Sequence, residues 1–172
     1  MALDQDRLKQ LLHYDHVSGS WTWLHRDGDD RETKRWNTRY AGKEAGRLDD
    51  EGYRIIYIDD MPFKAYRLAF LYMTGEWPPI MADHKDTNKS NDAWMNIRPA
   101  TRSQNGANRG LFPNNTSGHK GVHWRAQRKK WQARIYVDGK LIYLGLHKEF
   151  SDACKAYRDG AIKYFGEYAR FE

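Results

Sequence analysis

The sequence predicts an α+β protein built from two small units, and three observations lead to that prediction. The 172 residues are 40% hydrophobic and 14% aromatic, which is enough for packed cores and too apolar for a disordered chain. Short runs of strand character alternate with stretches of helical period in both halves. A segment rich in Pro, Asn and small polar residues, GLFPNNTSG at 110–118, separates the halves and is the predicted linker.

The composition excludes several classes of protein. The single cysteine, Cys154, rules out an internal disulfide and a Cys-rich zinc site. No apolar run approaches the ~20 residues that span a bilayer, and the N-terminal MALDQDRLKQLL has no signal-peptide pattern. We therefore expect a cytoplasmic protein with no membrane partner.

The first half begins with a helix started by Asp4 or Asp6 and followed by an aromatic strand, GSWTW. Residues 25–51 lack a clear period and are predicted to be loop, whereas GYRIIYID at 52–59 is β-rich and is followed by a DDMP turn. The stretch 65–75 predicts a helix that ends at Gly75, after which Pro78 and Pro79 interrupt regular structure. The expected inner face of that helix is Ala65, Leu68, Ala69 and Tyr72.

The second half predicts a three-stranded antiparallel sheet packed on one helix. GVHWRAQ, KWQARIYVDG and KLIYLGLH have strand character, and Asp138-Gly139 between the last two is a strong hairpin signal. A helix is expected at 151–166, with Ser151 as N-cap and Gly166 as the stop. Its predicted core stripe is Phe150, Ala153, Tyr157, Ala161 and Tyr164.

The formal net charge is +6, and the excess lies in the C-terminal third: residues 117–172 hold twelve Lys/Arg and six Asp/Glu. Residues 93–137 contain nine basic residues and no acid, with tryptophans and a tyrosine interleaved. A basic run alone is often a solvated surface, but cations mixed with flat rings are typical of nucleic-acid binding.

The stretch 82–109 combines an Asp-His pair with five of the eight asparagines of the chain. Asn96 follows His84 by twelve residues, and Asn105 follows Asn96 by nine. The pattern indicates a strand, a polar loop, a second strand around MNIRPA and a helix capped by Thr101. In such a ββα unit Asp83, His84, Asn96 and Asn105 can converge. The alternative is a polar surface loop with an ordinary surface histidine.

These residues, together with YRLAFLYMTGEWPP, LLHYDHVSGSWTW and GYRIIYI, resemble the HNH endonucleases of the phage and intron-homing kind. The resemblance covers most of residues 10–109. It implies the ββα-metal, or His-Me finger, fold and metal-dependent cleavage of DNA. Two positions depart from the family pattern: Tyr66 stands where His is frequent, and Thr87 where Gly is usual.

The resemblance implies a role for each of the four residues. His84 corresponds to the general base, Asn96 to the residue that holds the hairpin in place, and Asp83 and Asn105 to metal ligands. Histidine usually has a pKa near neutrality, suited to deprotonating water, and hard oxygen ligands favour Mg²⁺, with Mn²⁺ as the alternative. Nearby polar residues have open roles, either in shaping the loop or as ligands (Asp86, Asn88 and Asn91), or as a cap or phosphate contact (Asn108).

Residues 117–172 resemble the Apetala/ethylene-response-factor DNA-binding domain through KGV, W-x-A-x-I, YLG and the helix ending in AIKYFGEYA. In that family the sheet enters the major groove of DNA, a mode of binding that a sheet can adopt as a helix can. Trp131 has two open roles, DNA contact or core packing, as does Trp124. The resemblance and the basic turn together predict DNA contacts from Lys120, His123, Trp124, Arg125, Arg128, Lys130, Arg134, Tyr136 and Tyr143.

The predicted organisation is a nuclease domain at 1–109, the linker at 110–118 and a DNA-binding domain at 119–172. The leading hypothesis is a metal-dependent endonuclease, acting as a monomer or weak dimer on double-stranded DNA without a small-molecule cofactor. One catalytic centre per chain predicts nicking. The alternatives are a non-catalytic DNA-binding regulator with a degenerate nuclease fold and, more remotely, an RNA-binding module.

Overall fold

The computed structural model describes residues 3–78 and 81–171 of the chain. The chain divides into two compact units between Pro99 and Ala100, each with its own hydrophobic core. The predicted domain boundary at residue 109 differs from this division by the helix at 102–108. No helix within the described ranges is long and apolar enough to cross a membrane.

The first unit contains three small sheets. In chain order its elements are α1 (Gln5–Leu11), β1 (Leu12–Tyr14), β2 (Trp21–Trp23), α2 (Arg31–Tyr40), β3 (Arg47–Leu48), β4 (Arg54–Ile58), β5 (Met61–Lys64), α3 (Ala65–Thr74), β6 (Met81–His84) and β7 (Ile97–Ala100). Strands β1 and β2 pair antiparallel, β3, β4 and β5 form an antiparallel sheet in that order, and β6 pairs with β7. The predicted strand at 52–59 is confirmed as β4.

The ends of α1 and α3 lie where the sequence places them. The Asp4 carboxylate accepts a hydrogen bond from the Arg7 backbone N–H at 2.8 Å and begins α1. Gly75 ends α3 with a left-handed φ of 79°, a conformation that glycine adopts without steric cost. The predicted inner face of α3 is confirmed in this unit's core, whereas the predicted break at Pro79 lies outside the described residues.

The prediction of loop throughout 25–51 is wrong, because this segment contains the ten-residue helix α2. The Asp30 carboxylate caps the helix by accepting from the Thr33 backbone N–H at 2.9 Å. None of the residues of α2 is buried, and its two aromatic residues, Trp36 and Tyr40, lie among charged and polar ones, so the sequence shows no run of core residues that would mark the helix.

The first core joins α1, the β1–β2 hairpin, β4 and α3 around an aromatic cluster. Tyr14 stacks on Trp21 with ring centroids 4.5 Å apart, and Tyr72 of α3 meets both rings edge-on at 5.6 Å. Trp21 is fully buried with several aliphatic side chains. Burial of this much apolar surface is the main stabilising term for the unit, and it fixes the base on which the β6–β7 hairpin is built.

The predicted strand–strand–helix order of 82–109 is confirmed in outline. The second strand is shorter than the MNIRPA prediction, because Trp94–Asn96 forms a 3₁₀ turn and β7 begins at Ile97. Helix α4 (Arg102–Asn108) follows, and Thr101 caps it in a reciprocal capping box with Gln104.

The second unit contains α4, three antiparallel strands in the order β10-β9-β8, and a long helix, as predicted apart from the inclusion of α4. Asp138 and Gly139 both have positive φ, 48° and 77°, which is the conformation of a tight hairpin turn. The elements are β8 (Val122–Arg125), β9 (Lys130–Val137), β10 (Lys140–His147) and α5 (Phe150–Phe165).

Two details of α5 differ from the prediction. The N-cap is Glu149 rather than Ser151, because the Ala153 N–H already bonds to the Glu149 carbonyl and closes the first turn there. Phe165, not Tyr164, completes the buried stripe with Ala153, Tyr157 and Ala161, while Phe150 and Tyr164 remain more than a third exposed. The predicted stop at Gly166 is confirmed.

Candidate active site and nucleic-acid surface

Strand β6 ends with two adjacent ionisable side chains, Asp83 and His84, and both are only 5% exposed. Successive side chains of a strand point to opposite faces, so the two groups have different neighbours. Asp83 accepts from the guanidinium of Arg98 on β7, whereas His84 contacts Asp92 in the intervening loop. The hairpin thus holds two buried polar pairs side by side.

His84 and Asp92 form a dyad in which Nε2 of the imidazole lies 3.1 Å from Oδ1 of the carboxylate. Asp92 is 1% exposed, and its backbone carbonyl accepts a 2.5 Å hydrogen bond from the Tyr14 hydroxyl of the core. If the Asp92 carboxylate is ionised it can only accept hydrogen bonds, in which case Nε2 carries the hydrogen and Nδ1 is the basic nitrogen. The ring of Tyr66 meets the imidazole edge-on at 5.3 Å and further fixes its plane.

The Asp92 carboxylate is otherwise poorly compensated. Its second oxygen, Oδ2, has no hydrogen-bond partner among the described residues. Burying a carboxylate in this way costs free energy that a neutral side chain would avoid. Groups held at such a cost are concentrated at functional sites, where their electrostatics serve another group, here the His84 imidazole.

Asp83 is paired with Arg98 through two hydrogen bonds, 3.1 Å from Nε and 3.0 Å from Nη2, both to Oδ2. Both side chains are more than 90% buried. This forked geometry orients the carboxylate strongly, because the planar guanidinium fixes the direction of approach.

Asn96 connects the two ends of the loop between β6 and β7. Its Oδ1 accepts from the Asp86 N–H at 3.1 Å, and its Nδ2 donates to Asp86 Oδ1 at 3.0 Å and to the Asn91 carbonyl at 2.7 Å. The backbone carbonyl of Asn96 also accepts from the Lys85 N–H at 2.9 Å. These bonds are of the kind that a hairpin-holding residue requires, and the catalytic importance of Asn96 stays a prediction.

The remaining polar residues of the loop bond to one another. Asp86 accepts from the Asn88 N–H and the Asn91 amide, and Asn88 accepts from the Ser90 N–H. Partial burial alone would raise the pKa of Asp86, but hydrogen bonds from Asn91, Asn88 and Asn96 outweigh it and lower that pKa. Of the two roles open to Asp86, Asn88 and Asn91, these contacts favour loop formation.

The predicted metal ligands, Asp83 and Asn105, lie in different compact units. Asn105 is half-buried on α4. Within residues 3–78 and 81–171, no three His, Cys, Asp or Glu side chains gather into a group that could hold a metal ion. The predicted pair is not such a group, because it consists of one carboxylate and one amide. Both donate hard oxygens, which suit Mg²⁺, and this ion fills its other positions with waters and phosphate oxygens. The predicted pair fits Mg²⁺ in its chemistry, and its convergence stays a prediction.

Two lysines place positive charge near His84. The ammonium groups of Lys64 and Lys89 lie 3.7 Å and 4.7 Å from the ring centroid of Tyr53, which itself lies 6.0 Å from the His84 ring. Cation–π contact with Tyr53 orients both lysines without neutralising them, although Glu51 lies 4.0 Å from Lys64. These two ammonium groups add positive charge on the side of the imidazole where Tyr53 lies, and positive charge attracts an anionic substrate.

Sequence reasoning missed Asp92 and Arg98. Asp92 follows His84 by only eight residues, but its relation to the imidazole depends on how the loop folds back. For Arg98 the sequence contains a weak signal. A buried acid such as Asp83 needs a counter-ion, and a basic residue on the neighbouring strand can supply it.

In the second unit, the sheet has one face on α5 and one open face. Val122, Ala133 and Ile135 are buried with residues of α5, and directly paired residues of antiparallel strands share a face. The register thus places the strand residues that alternate with these buried ones on the open face. Of the predicted DNA contacts, the open face contains His123, Arg125, Lys130, Arg134, Tyr136 and Tyr143.

The cations of the open face are uncompensated. Arg125, Lys130 and Arg134 have no ion-pair or hydrogen-bond partner for their side chains among the described residues. Burial, followed by repulsion from Arg134 and Arg125, lowers the pKa of His123. Such a face attracts a polyanion.

The other predicted DNA contacts lie elsewhere. Trp131 packs on Phe150 at 4.7 Å with the core, whereas Trp124, on the same face, touches Trp131 at 5.1 Å and is half exposed. Arg128 lies in the turn after β8. The ammonium of Lys120 donates to the Ala107 and Arg109 carbonyls at 2.5 Å and 2.7 Å, so it caps the end of α4.

Residues 63–107, from β5 to α4, match the family model described as HNH endonuclease. The matched segment carries the β6–β7 hairpin with Asp83, His84 and Asn96, and it also includes Asn105. This match supports the family resemblance for that segment, which is less than a third of the chain.

Two individual proteins are similar to the chain. Protein 3.8 of Escherichia phage T7 is 40% identical over 58 residues, which are 34% of this chain and 48% of that protein. The chain therefore spans about half the length of this relative. A solved structure, "DNA binding and cleavage by the HNH homing endonuclease I-HmuI", is 22% identical, and the likeness covers 63% of this chain and 57% of that one with a TM-score of 0.43.

Proposed function

We propose that the protein is a metal-dependent DNA endonuclease of the HNH type that hydrolyses a phosphodiester bond. The observation that carries the proposal is the buried His84–Asp92 dyad within the segment that matches HNH endonucleases. A phage or intron-homing origin and action in the host cytoplasm fit the phage relative.

His84 acts as the general base. As the oxygen of a water molecule attacks phosphorus, its proton passes to Nδ1, and the bond between phosphorus and the 3′ oxygen breaks. The products are a 5′-phosphate and, after protonation of the leaving oxygen, a 3′-hydroxyl. Asp92 accepts a hydrogen bond from the Nε2–H group throughout the reaction and stabilises the imidazolium that forms.

Asp83 and Asn105 are the proposed metal ligands, with Mg²⁺ as the expected ion and Mn²⁺ as the alternative. When bound, the ion would neutralise charge on the scissile phosphate and on the leaving oxygen. Arg98 keeps the Asp83 carboxylate in one orientation. Asn96 holds the loop so that His84 and Asp83 stay at the end of β6.

The open face of the second unit is the proposed surface that binds double-stranded DNA, in the manner of an ethylene-response-factor domain. Arg125, Lys130 and Arg134 have no ion-pair partner in the described part of the chain and supply phosphate contacts, and the exposed tyrosines of this face supply flat surfaces. One catalytic centre per chain makes a nick the expected product, with the protein acting as a monomer or weak dimer.

The decisive experiment incubates the purified chain with supercoiled plasmid in Mg²⁺ and in EDTA. We expect conversion to open circles in Mg²⁺ only, loss of that activity in His84→Ala, and unchanged DNA affinity in the same variant. His13→Ala is the matched control, because His13 is exposed on β1. DNA binding without cleavage in any divalent metal would instead favour a non-catalytic regulator.

A further inference from the structure

Helix α2 has an unusual position in the first unit, because it is held firmly and yet buries none of its residues. The Asn37 side chain bonds to both the N–H and the carbonyl of Arg26, each at 2.9 Å. The guanidinium of Arg26 lies 3.7 Å from the Trp36 ring centroid, and Trp23 meets Trp36 edge-on at 5.5 Å. The structure thus orients a helix that adds little to its core.

These contacts all lie on one side of α2. At 100° per residue, Trp36, Asn37 and Tyr40 fall on the inner side. The outer side carries Arg31, Arg35 and Arg39, spaced four residues apart and all exposed. We call these three arginines the α2 row.

The arginines of the α2 row form no ion pair among the described residues, although the segment 27–40 holds four acids and four bases in all. Arg31 and Arg35 have no ion-pair partner among the described residues, and Arg39 contacts only the ring of Tyr40, at 5.2 Å. Neighbouring Lys34 forms an exposed pair with Asp29 at 3.4 Å, which contributes little in water. Of the acids at the start of α2, Asp30 is occupied in capping, and Glu32 is the only acid inside the helix.

The spacing of the row suits a nucleic-acid backbone. Residues four apart on a helix are separated by about 6 Å along its axis, which is similar to the distance between neighbouring phosphates of one strand. Arginine binds phosphate through a fork of donors, and repeated phosphate contacts position a protein on DNA without reading its sequence.

We propose that the α2 row is a second DNA-backbone contact, located on the nuclease unit and independent of the open face of the sheet. The proposal rests on DNA being the substrate, as in the proposed function, but it assigns binding to a helix that the function itself does not use. The three arginines bind phosphates of one DNA strand and contribute no base recognition.

The test is the affinity of the full chain for a duplex, measured by fluorescence anisotropy from 50 to 300 mM salt in EDTA. The variant Arg31→Gln/Arg35→Gln/Arg39→Gln keeps good helix formers in place. We expect at least about a 10-fold loss of affinity near 0.1 M salt. The salt dependence should also become shallower, by up to about 0.9 in the logarithmic slope for each arginine that no longer neutralises a phosphate. Arg35→Gln alone gives a smaller loss and serves if the triple variant does not fold by circular dichroism.

The matched control removes the same charge elsewhere, in Lys148→Gln/Lys155→Gln/Lys163→Gln, where all three lysines are exposed. Equal losses in the two triple variants, or wild-type affinity in the row variant, would overturn the proposal. The proposal would also be overturned if the row variant lost binding to anionic phosphatidylserine vesicles and kept its DNA affinity, because the row would then be a membrane-binding surface. The affinity measurement needs no cleavage. A wild-type protein that binds DNA without cutting it would therefore contradict the proposed function, while the role of the α2 row in binding could still be decided.

Discussion

The imidazole Nε2 of His84 and the carboxylate Oδ1 of Asp92 lie 3.1 Å apart, and both side chains are almost completely buried. Asp92 is in turn anchored to the first core, because its backbone carbonyl accepts a hydrogen bond from Tyr14. The orientation of the proposed general base is therefore determined by the packing of the N-terminal helix and hairpin, far from it in the sequence.

Asp92→Asn is expected to reduce the nicking rate by at least about 100-fold while leaving DNA affinity within about twofold of wild type. The asparagine amide can present its N–H to Nε2, and this reverses the tautomer so that Nδ1 no longer accepts a proton. Single-turnover nicking in Mg²⁺ gives the rate, and anisotropy in EDTA gives the affinity.

Asp50→Asn is the control for that substitution, since Asp50 is an exposed acid of the same unit. It should nick at the wild-type rate. An Asp92→Asn protein that nicks normally would show that the dyad has no catalytic role, and a loss of the near-ultraviolet tryptophan signal would point to misfolding instead.

Arg98→Ala is expected to lower the free energy of unfolding by roughly 3–5 kcal/mol, because it leaves the buried Asp83 carboxylate without its cation. Urea unfolding followed by tryptophan fluorescence measures the change, since Trp21 is fully buried in the same unit.

The double variant Asp83→Leu/Arg98→Met separates a pairing effect from a packing effect. Two apolar side chains of similar volume should recover most of the stability that Arg98→Met alone loses, although nicking stays absent. If the single Arg98 variants cost less than about 1 kcal/mol, the pair is not a significant stabilising contact.

Lys120→Met should destabilise the second unit without a large effect on DNA binding. The ammonium donates to two carbonyls at the end of α4, and losing hydrogen bonds from a charged group costs about 1.5–3 kcal/mol. DNA affinity should change less than in Arg134→Ala, because the ammonium is already occupied. A larger affinity loss in Lys120→Met than in Arg134→Ala would instead restore Lys120 as a phosphate contact.

The same lysine predicts a pH dependence. Burial, reinforced by repulsion from Arg170, lowers the pKa of Lys120 from 10.5 to about 8. Between these two values the unfolded chain keeps a proton that the folded chain has lost, so the contribution of Lys120 to stability increases as the pH rises. The difference in unfolding free energy between wild type and Lys120→Met should therefore grow from pH 7 to pH 10, and a constant difference would contradict the lowered pKa.

Local signals were sufficient for much of the fold. The caps at Asp4 and Thr101, the glycine ends of α3 and α5, and the Asp138-Gly139 hairpin are decided by neighbouring residues, so the sequence reveals them. Helix α2 escaped prediction because polar and aromatic contacts hold it, and its only large apolar residues are Trp36 and Tyr40, too few to mark a core helix. The N-cap at Glu149 was missed because its backbone, not its side chain, closes the first turn.

Part of the candidate site could likewise be predicted from local sequence, and part of it could not. The spacing of His84 and Asn96 follows from a hairpin with a loop between two strands, which local pattern can predict. Asp92 acts through the three-dimensional course of that loop, and Arg98 through the pairing of β6 with β7. Contacts of this kind depend on tertiary structure, which residue type and spacing alone do not determine.

Arg134→Ala should weaken duplex binding and reduce the logarithmic salt slope by about 0.9, as expected when one fewer phosphate is neutralised. Arg134 lies on the open face opposite Tyr143 and has no ion-pair partner among the described residues. Trp131→Ala should behave differently. Since Trp131 packs on Phe150, this substitution should lower the free energy of unfolding, while the folded protein binds DNA normally. Lys155→Ala, on α5, is the matched charge control. Loss of affinity equal to that of Arg134→Ala in this control would mean that net charge, rather than the open face of the sheet, governs binding.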